Sequence, residues 1–104
     1  MNSKRIGISL TPQVLLELNN QLRIRHLKSS FVGTLLNATA KAIISGQLVI
    51  EKQAKHYGKR QKYIASIYAV NSETAQLLAY CKKYYGVKVA ELGRYAINQW
   101  LGSL

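Results

Sequence analysis

The segment KRIGISLTP, residues 4–12, decides which fold the chain can adopt. Residues 5–10 alternate Arg, Gly and Ser with aliphatic side chains, and this alternation predicts a β-strand with one apolar face. Thr11 stands at an N-cap position, and Pro12 suits the first position of the helix that should follow. One short strand is not stable alone, so the chain must also supply a partner strand and an apolar surface beneath it.

Two amphipathic helices are predicted after this strand. Apolar residues recur at spacings of three and four from Pro12 to about His26, and again from Phe31 to about Ser45. Residues 27–30 form a loop in which either of two serines would cap the second helix, and Gly46 ends that helix. Residues 1–46 therefore form a first unit of strand, helix, loop and helix.

The same order of elements is predicted for residues 62–104. Asn71 or Ser72 would cap the first helix of this second unit. Residues 47–61 lie between the units as a basic connector, which is too irregular to assign beyond one or two helical turns ending at Gly58. The elements of the second unit are a strand at 63–70 that is rich in β-formers, a helix from Thr74 to Tyr85 and a last helix from about Val89 to Leu101.

A shift of 60 residues aligns the two units. It places Leu18 on Leu78 and Gly33 on Gly93, and it brings the two interhelical loops together. Few residues are identical, but the order of elements, the loop positions and the helix glycine coincide. An internal duplication is therefore predicted.

The charge balance predicts an anionic partner. Fifteen Lys and Arg residues against four acidic residues give a formal net charge of +11. Such an excess favours nucleic acid first and an anionic membrane surface second. Apolar residues make up 48% of the chain, which provides a core, although neither half could bury a large one alone.

Several classes of function are not expected from the residue types present. The single cysteine, Cys81, excludes an internal disulfide and is expected in the core, as are Tyr84, Tyr85 and Trp100. His26 and His56 lack neighbouring carboxylates or cysteines, so no metal is expected. The sequence shows no phosphate-binding glycine loop, paired carboxylates or nucleophile constellation, so neither an enzyme nor a cofactor is predicted.

The expected location is the cytoplasm. The N-terminus enters the strand pattern within a few residues, which leaves no room there for a signal peptide. No apolar run approaches the roughly 20 residues that a membrane span requires.

The segments KRIGISLTPQVLLEL (4–18) and LKSSFVGTLL (27–36) resemble the ribbon-helix-helix (MetJ/Arc/CopG-like) transcription factors. The resemblance is good over residues 4–45 and looser over 62–104. It implies a mostly α fold in which a two-stranded antiparallel β-ribbon lies over four helices and enters the DNA major groove. Two copies in one chain would form a pseudo-dimer, similar to plasmid transfer accessory proteins and archaeal-virus regulators.

The resemblance also implies which residues contact bases. On the first strand these are Arg5, Gly7 and Ser9, and an arginine at such a position can bind guanine O6 and N7. Gly7 departs from the polar residue usual in the family at the middle of the strand. The second strand has two possible registers, because a slip of one residue exchanges its faces. Capping by Asn71 exposes Ala65, Ile67 and Ala69, which would contact a thymine methyl, whereas capping by Ser72 exposes Ser66 and Tyr68.

Phosphate contacts are implied at the start of the second helix of each unit, where free amides and the helix dipole attract anions. The residues concerned are Lys28, Ser29 and Ser30 in the first unit and Lys88 and Val89 in the second; Lys4 and Lys62 would add charge beside the strands.

The predicted function is that of a sequence-specific regulator of transcription, expected to be a repressor, that binds double-stranded DNA. Its copies would assemble along neighbouring sites. One alternative is an antitoxin-like or plasmid accessory protein, which exposed apolar residues around Leu48–Ile50 would favour. Another is a charge-driven, non-specific nucleic-acid binder, which a low ratio of specific to random binding would favour.

Overall fold

A computed structural model describes residues 4–50 and 63–104. The described chain is mostly helical, with four helices and one two-stranded antiparallel sheet. The predictions for the connector at 51–61, including the break at Gly58, lie outside the described residues, as does Lys62. In chain order the elements are β1 (Lys4–Leu10), α1 (Pro12–Ile24), α2 (Phe31–Ile44), β2 (Ile64–Val70), α3 (Ser72–Tyr85) and α4 (Val89–Gly102).

The sheet pairs the strand of each unit with the strand of the other. Lys4 lies opposite Val70, and Leu10 lies opposite Ile64. The underside of the sheet belongs to the core, because the even-numbered residues in the middle and at one end of each strand are buried: Ile8, Leu10, Tyr68 and Val70. Of the two registers predicted for the second strand, the structure has the one that faces Tyr68 and Val70 inward.

Two glycines set how closely the helices approach the sheet. A Cβ atom added at Gly93 in α4 would lie 2.5 Å from Cδ1 of Ile8. A Cβ atom added at Gly33 in α2 would lie 3.3 Å from the carbonyl oxygen of Ala69. Each unit therefore packs its second helix against the strand of the other unit. The buried residues accordingly form one cluster drawn from both halves of the chain.

The helix starts agree with the caps predicted at two places and differ at a third. Thr11 Oγ1 accepts a hydrogen bond from the Val14 amide at 3.3 Å, and Asn71 Oδ1 accepts one from the Thr74 amide at 2.8 Å. Ser30 occupies the N-cap position of α2, as one of the two predicted serines, but its side chain makes no capping hydrogen bond. The helix there begins with tight turns, in which successive amides donate to carbonyls three residues earlier.

The ends of α1 and α3 are also similar. His26 follows α1 with φ 55°, and Gly86 follows α3 with φ 68°. Both residues adopt the left-handed conformation that commonly closes a helix. The 60-residue shift aligns these two positions, although only one of them is a glycine.

The aromatic residues divide between the core and the surface. Trp100 is half-buried and packs against Phe31, with ring centroids 5.2 Å apart. Tyr84 and Tyr85 were predicted to pack inside, and this is wrong, because both are exposed. Their rings instead lie beside that of Tyr80 on the outside of α3, at centroid distances of 4.4 and 6.3 Å. At the end of a helix, aromatic side chains can cover one another without entering the core.

Candidate nucleic-acid interface

The outward surface of the sheet carries every residue predicted to contact bases. We call this surface the upper face; it consists of Arg5, Gly7, Ser9, Ala65, Ile67 and Ala69. All are exposed except Ser9, which is half-buried. The packing of the underside fixes this arrangement, because a strand that buries Ile8 and Leu10 must turn its odd-numbered residues outward.

The pairing register makes the upper face chemically uneven. Arg5 lies opposite Ala69, Gly7 opposite Ile67, and Ser9 opposite Ala65. Directly opposed side chains in an antiparallel sheet have Cβ atoms about 4.5–5.5 Å apart. Each polar residue of β1 therefore faces only a methyl group, and Arg5 has open space in which to project. The ribbon has an Arg5 end and a Ser9 end that differ.

Arg94 of α4 lies at the Ser9 end, and no sequence pattern predicted this position. Its Nη1 donates a hydrogen bond to the Ser9 carbonyl oxygen at 3.5 Å, across 85 residues of sequence. Its guanidinium carbon is 5.9 Å from the centroid of the Tyr63 ring, within the range of a cation–π contact. The only available signal was its position directly after Gly93, the glycine that brings α4 against β1. Arg94 thus places a positive charge beside the ribbon.

At the Arg5 end, the space that corresponds to the position of Arg94 is an open cleft of about 370 Å³. Position 34, which the shift aligns with Arg94, is an exposed threonine in α2. Asn37 Nδ2 donates to Thr74 Oγ1 at 2.9 Å and joins the two helices that form the walls. The cleft is lined by Ser30, Gly33, Thr34, Asn37, Ala69, Val70, Asn71 and Thr74. Its side chains are mainly small and polar, and two helix N-termini converge on it.

The start of α2 has the features of an anion site. Lys28, Ser29 and Ser30 are all exposed. The amides of the next three residues are used in the tight turns, whereas within the described residues those of Ser29 and Ser30 have no acceptor. The first turn of α2 contains no acidic residue. The positive end of the helix dipole is therefore not neutralised by a neighbouring carboxylate.

The start of α4 is less favourable to an anion. Lys88 occupies the N-cap position and is exposed, and Val89 follows it half-buried. Glu91, however, lies in the first turn. A carboxylate at this position interacts favourably with the helix dipole itself and repels a phosphate. The two predicted phosphate sites are therefore unequal.

The connector residues next to α2 expose little apolar surface. Leu48 and Ile50 are half-buried against the core, and only Val49, at 80% exposure, points into solvent. The apolar surface that would favour an interaction protein is thus reduced, in the described part of the connector, to one side chain. Lys4 is exposed at the Arg5 end of the ribbon.

No family model, curated protein or solved structure matches this chain. Among residues 4–50 and 63–104, no helix has the length and apolar character needed to cross a membrane. Function is therefore inferred from the chain's own residues.

Proposed function

We propose that this protein is a sequence-specific regulator of transcription, acting as a repressor, that inserts its β-ribbon into the major groove of DNA. The observation that carries the proposal is an exposed upper face, fixed by a buried underside, on a chain of net charge +11. The major groove is about 12 Å wide and admits a two-stranded ribbon. Gly7, Ser9 and the two alanines of the upper face are small, and at these positions the backbone can approach the base edges closely.

The pairing register supports a pseudo-dimer of two ribbon-helix-helix units. In an antiparallel ribbon with a two-fold axis, the central residue must pair with its own counterpart. Gly7 and Ile67 are counterparts under the 60-residue shift, and they lie opposite each other at the middle of the sheet. Arg5 likewise pairs with Ala69, the counterpart of Ser9. The exchange of packing between α2, α4 and the two strands is consistent with the same axis.

In this proposal the bases and the phosphates are contacted by different parts of the protein. Arg5 reads a guanine by donating two hydrogen bonds to its O6 and N7 atoms. Ser29 and Ser30 at the start of α2 hold a backbone phosphate, with Lys28 adding charge. The phosphate contacts set the position and orientation of the ribbon, whereas the base contacts supply sequence specificity.

The test compares Arg5→Ala with Lys83→Ala. Both variants lose one exposed cation, but Lys83 lies near the far end of α3, against the Tyr84 ring. Duplexes selected from a random library and unselected duplexes would be titrated with each protein over a salt series. Arg5→Ala should lose about 1–3 kcal/mol of affinity for the selected duplex and little for random DNA. Lys83→Ala should change neither affinity by a comparable amount.

A charge-driven binder would give a different result. The selected and random duplexes would bind alike, with a steep dependence on salt concentration that Arg5→Ala hardly alters. That result would refute base reading by the ribbon and would leave non-specific nucleic-acid binding as the function.

A further inference from the structure

The backbone of the ribbon is symmetric in register, but its side chains are not. Position 5 is arginine, whereas its counterpart, position 65, is alanine. Ser9 likewise has Ala69 as its counterpart. A dimer of identical chains presents the same residues to both halves of its site, and its operators mirror that symmetry. This chain instead presents one guanidinium on its upper face, at one end.

The centre of the upper face is also asymmetric. Ile67 is 69% exposed and projects from the upper face. Across from it stands Gly7, where an added Cβ would have no atom within 4 Å. The apolar side chain therefore rises alone from the middle of the ribbon. The C5-methyl group of thymine is the apolar group that the major groove offers to such a side chain.

The surfaces beside the two ends of the ribbon also differ from each other. Arg94 occupies the Ser9 end, and its counterpart at the Arg5 end is Thr34 beside an open cleft. The start of α2 has no acidic residue in its first turn, whereas the start of α4 has Glu91. Base-reading and phosphate-binding groups thus differ between the two halves of the molecule.

We infer that the chain recognises a directional, non-palindromic DNA site. The site has a guanine on one side, bound by Arg5, and a thymine near the centre, whose methyl group contacts Ile67. This inference rests on the proposed function, since it concerns the same ribbon in the same groove. It adds the class of sequence that the ribbon reads.

The first experiment selects preferred duplexes from a random library, with the full chain and with a double variant, Arg5→Ala with Ala65→Arg. The double variant keeps the net charge and moves the guanidinium to the counterpart position on the other strand. Both positions are exposed, so the fold should tolerate the exchange. The wild type should select a site without inverted symmetry. The double variant should select a site in which the guanine lies on the other side of the central thymine.

The second experiment tests the methyl contact. Each thymine of the selected duplex is replaced in turn with deoxyuridine, which lacks only the C5-methyl group. One central replacement should weaken wild-type binding by about fourfold, the value for one buried methyl-sized group. Ile67→Ala should bind the two duplexes equally. Leu16→Ala removes an aliphatic side chain of similar exposure (71%) from α1, and it should respond to deoxyuridine as the wild type does.

The outcomes separate this inference from the proposed function. If selection yields inverted repeats, and the double variant selects the same sites as the wild type, the directional site is refuted while sequence-specific binding stands. If no deoxyuridine replacement changes the affinity, the role of Ile67 is refuted. If selection enriches no sequence over random DNA, the proposed function itself fails.

Discussion

Replacing Gly93 with alanine should destabilise the protein by about 1–2 kcal/mol, the net of two opposing effects. The new Cβ would lie 2.5 Å from Cδ1 and 2.9 Å from Cγ1 of Ile8, closer than such atoms can approach. Ile8 is fully buried and cannot turn into solvent to make room. Overpacking of this kind costs about 1–3 kcal/mol, and two short contacts place Gly93→Ala in the upper half of that range. Alanine recovers about 1 kcal/mol because it favours the helix over glycine.

Gly33→Ala is the matched control. It makes the same chemical change at the aligned position of α2, but its Cβ would lie 3.3 Å from the Ala69 oxygen and 3.4 Å from Val70 Cγ1. A shift of a few tenths of an ångström relieves these contacts, and the helix preference offsets the remainder. We expect its unfolding free energy to stay within about 1 kcal/mol of the wild type. Urea titration would measure the unfolding free energy of both variants. In thermal unfolding, each 1 kcal/mol of destabilisation should lower Tm by about 4–8 °C.

Combining Gly93→Ala with Ile8→Val isolates the contact. Valine lacks the Cδ1 atom that lies closest to the new Cβ. Ile8→Val alone should cost about 0.5–1.5 kcal/mol through the lost methyl group. In the Gly93→Ala background it should cost less, or even stabilise, giving an interaction energy of about 0.5 kcal/mol or more. Strictly additive effects, or a Gly93→Ala protein as stable as the wild type, would show that α4 does not approach β1 this closely.

Three further outcomes follow from single residues. Gly7→Ala should raise the unfolding free energy by about 0.5–1 kcal/mol, because alanine loses less entropy in a strand. The same change should weaken binding to a selected duplex by crowding the bases, so a urea titration and a DNA titration would show effects of opposite sign. Asn71→Ala should cost about 1 kcal/mol in urea titration by removing a helix cap, whereas Ser30→Ala should be nearly neutral. Burial raises the pKa values of Tyr68 and Cys81 above their ordinary values of 10.0 and 9.0. The stability that these two groups contribute is therefore present at neutral pH and is lost as the pH rises above those ordinary values. Tyr68→Phe should flatten this alkaline decline in the unfolding free energy.

Much of the fold could be predicted from local patterns. Alternation in residues 4–10 and the Thr11-Pro12 pair located β1 and the start of α1, because strand period and capping are properties of neighbouring residues. The helix limits differ from the prediction by two residues or fewer, as is usual where helix ends fray. The sequence left two registers open for β2, and the structure has the one that capping by Asn71 implies.

The features that escaped prediction depend either on contacts between distant parts of the chain or on the hydrogen bonds that one turn adopts. Arg94 reaches Ser9 only because Gly93 brings α4 against β1, and neither residue reveals this contact locally. Ser30 has the right residue type for a cap, but the tight turns at the start of α2 use the amides that its hydroxyl would accept from. Sequence patterns indicated which residues belong to each element. They did not indicate how distant elements pack or which acceptor each amide at a helix start would bind.

The two faces of the ribbon are under different constraints, because the underside packs on the helices and the upper face is mostly exposed. The undersides of β1 and β2 both pack on the same group of helices. Their aligned positions have the same degree of burial even where the residues differ, as at Ile8 and Tyr68. The upper face is exposed except at Ser9, so most of its side chains can change with little loss of stability. In a dimer of identical chains, any such change would appear twice. In a tandem chain each strand can change alone, and the difference between Arg5 and Ala65 is therefore compatible with a symmetric fold and a directional site.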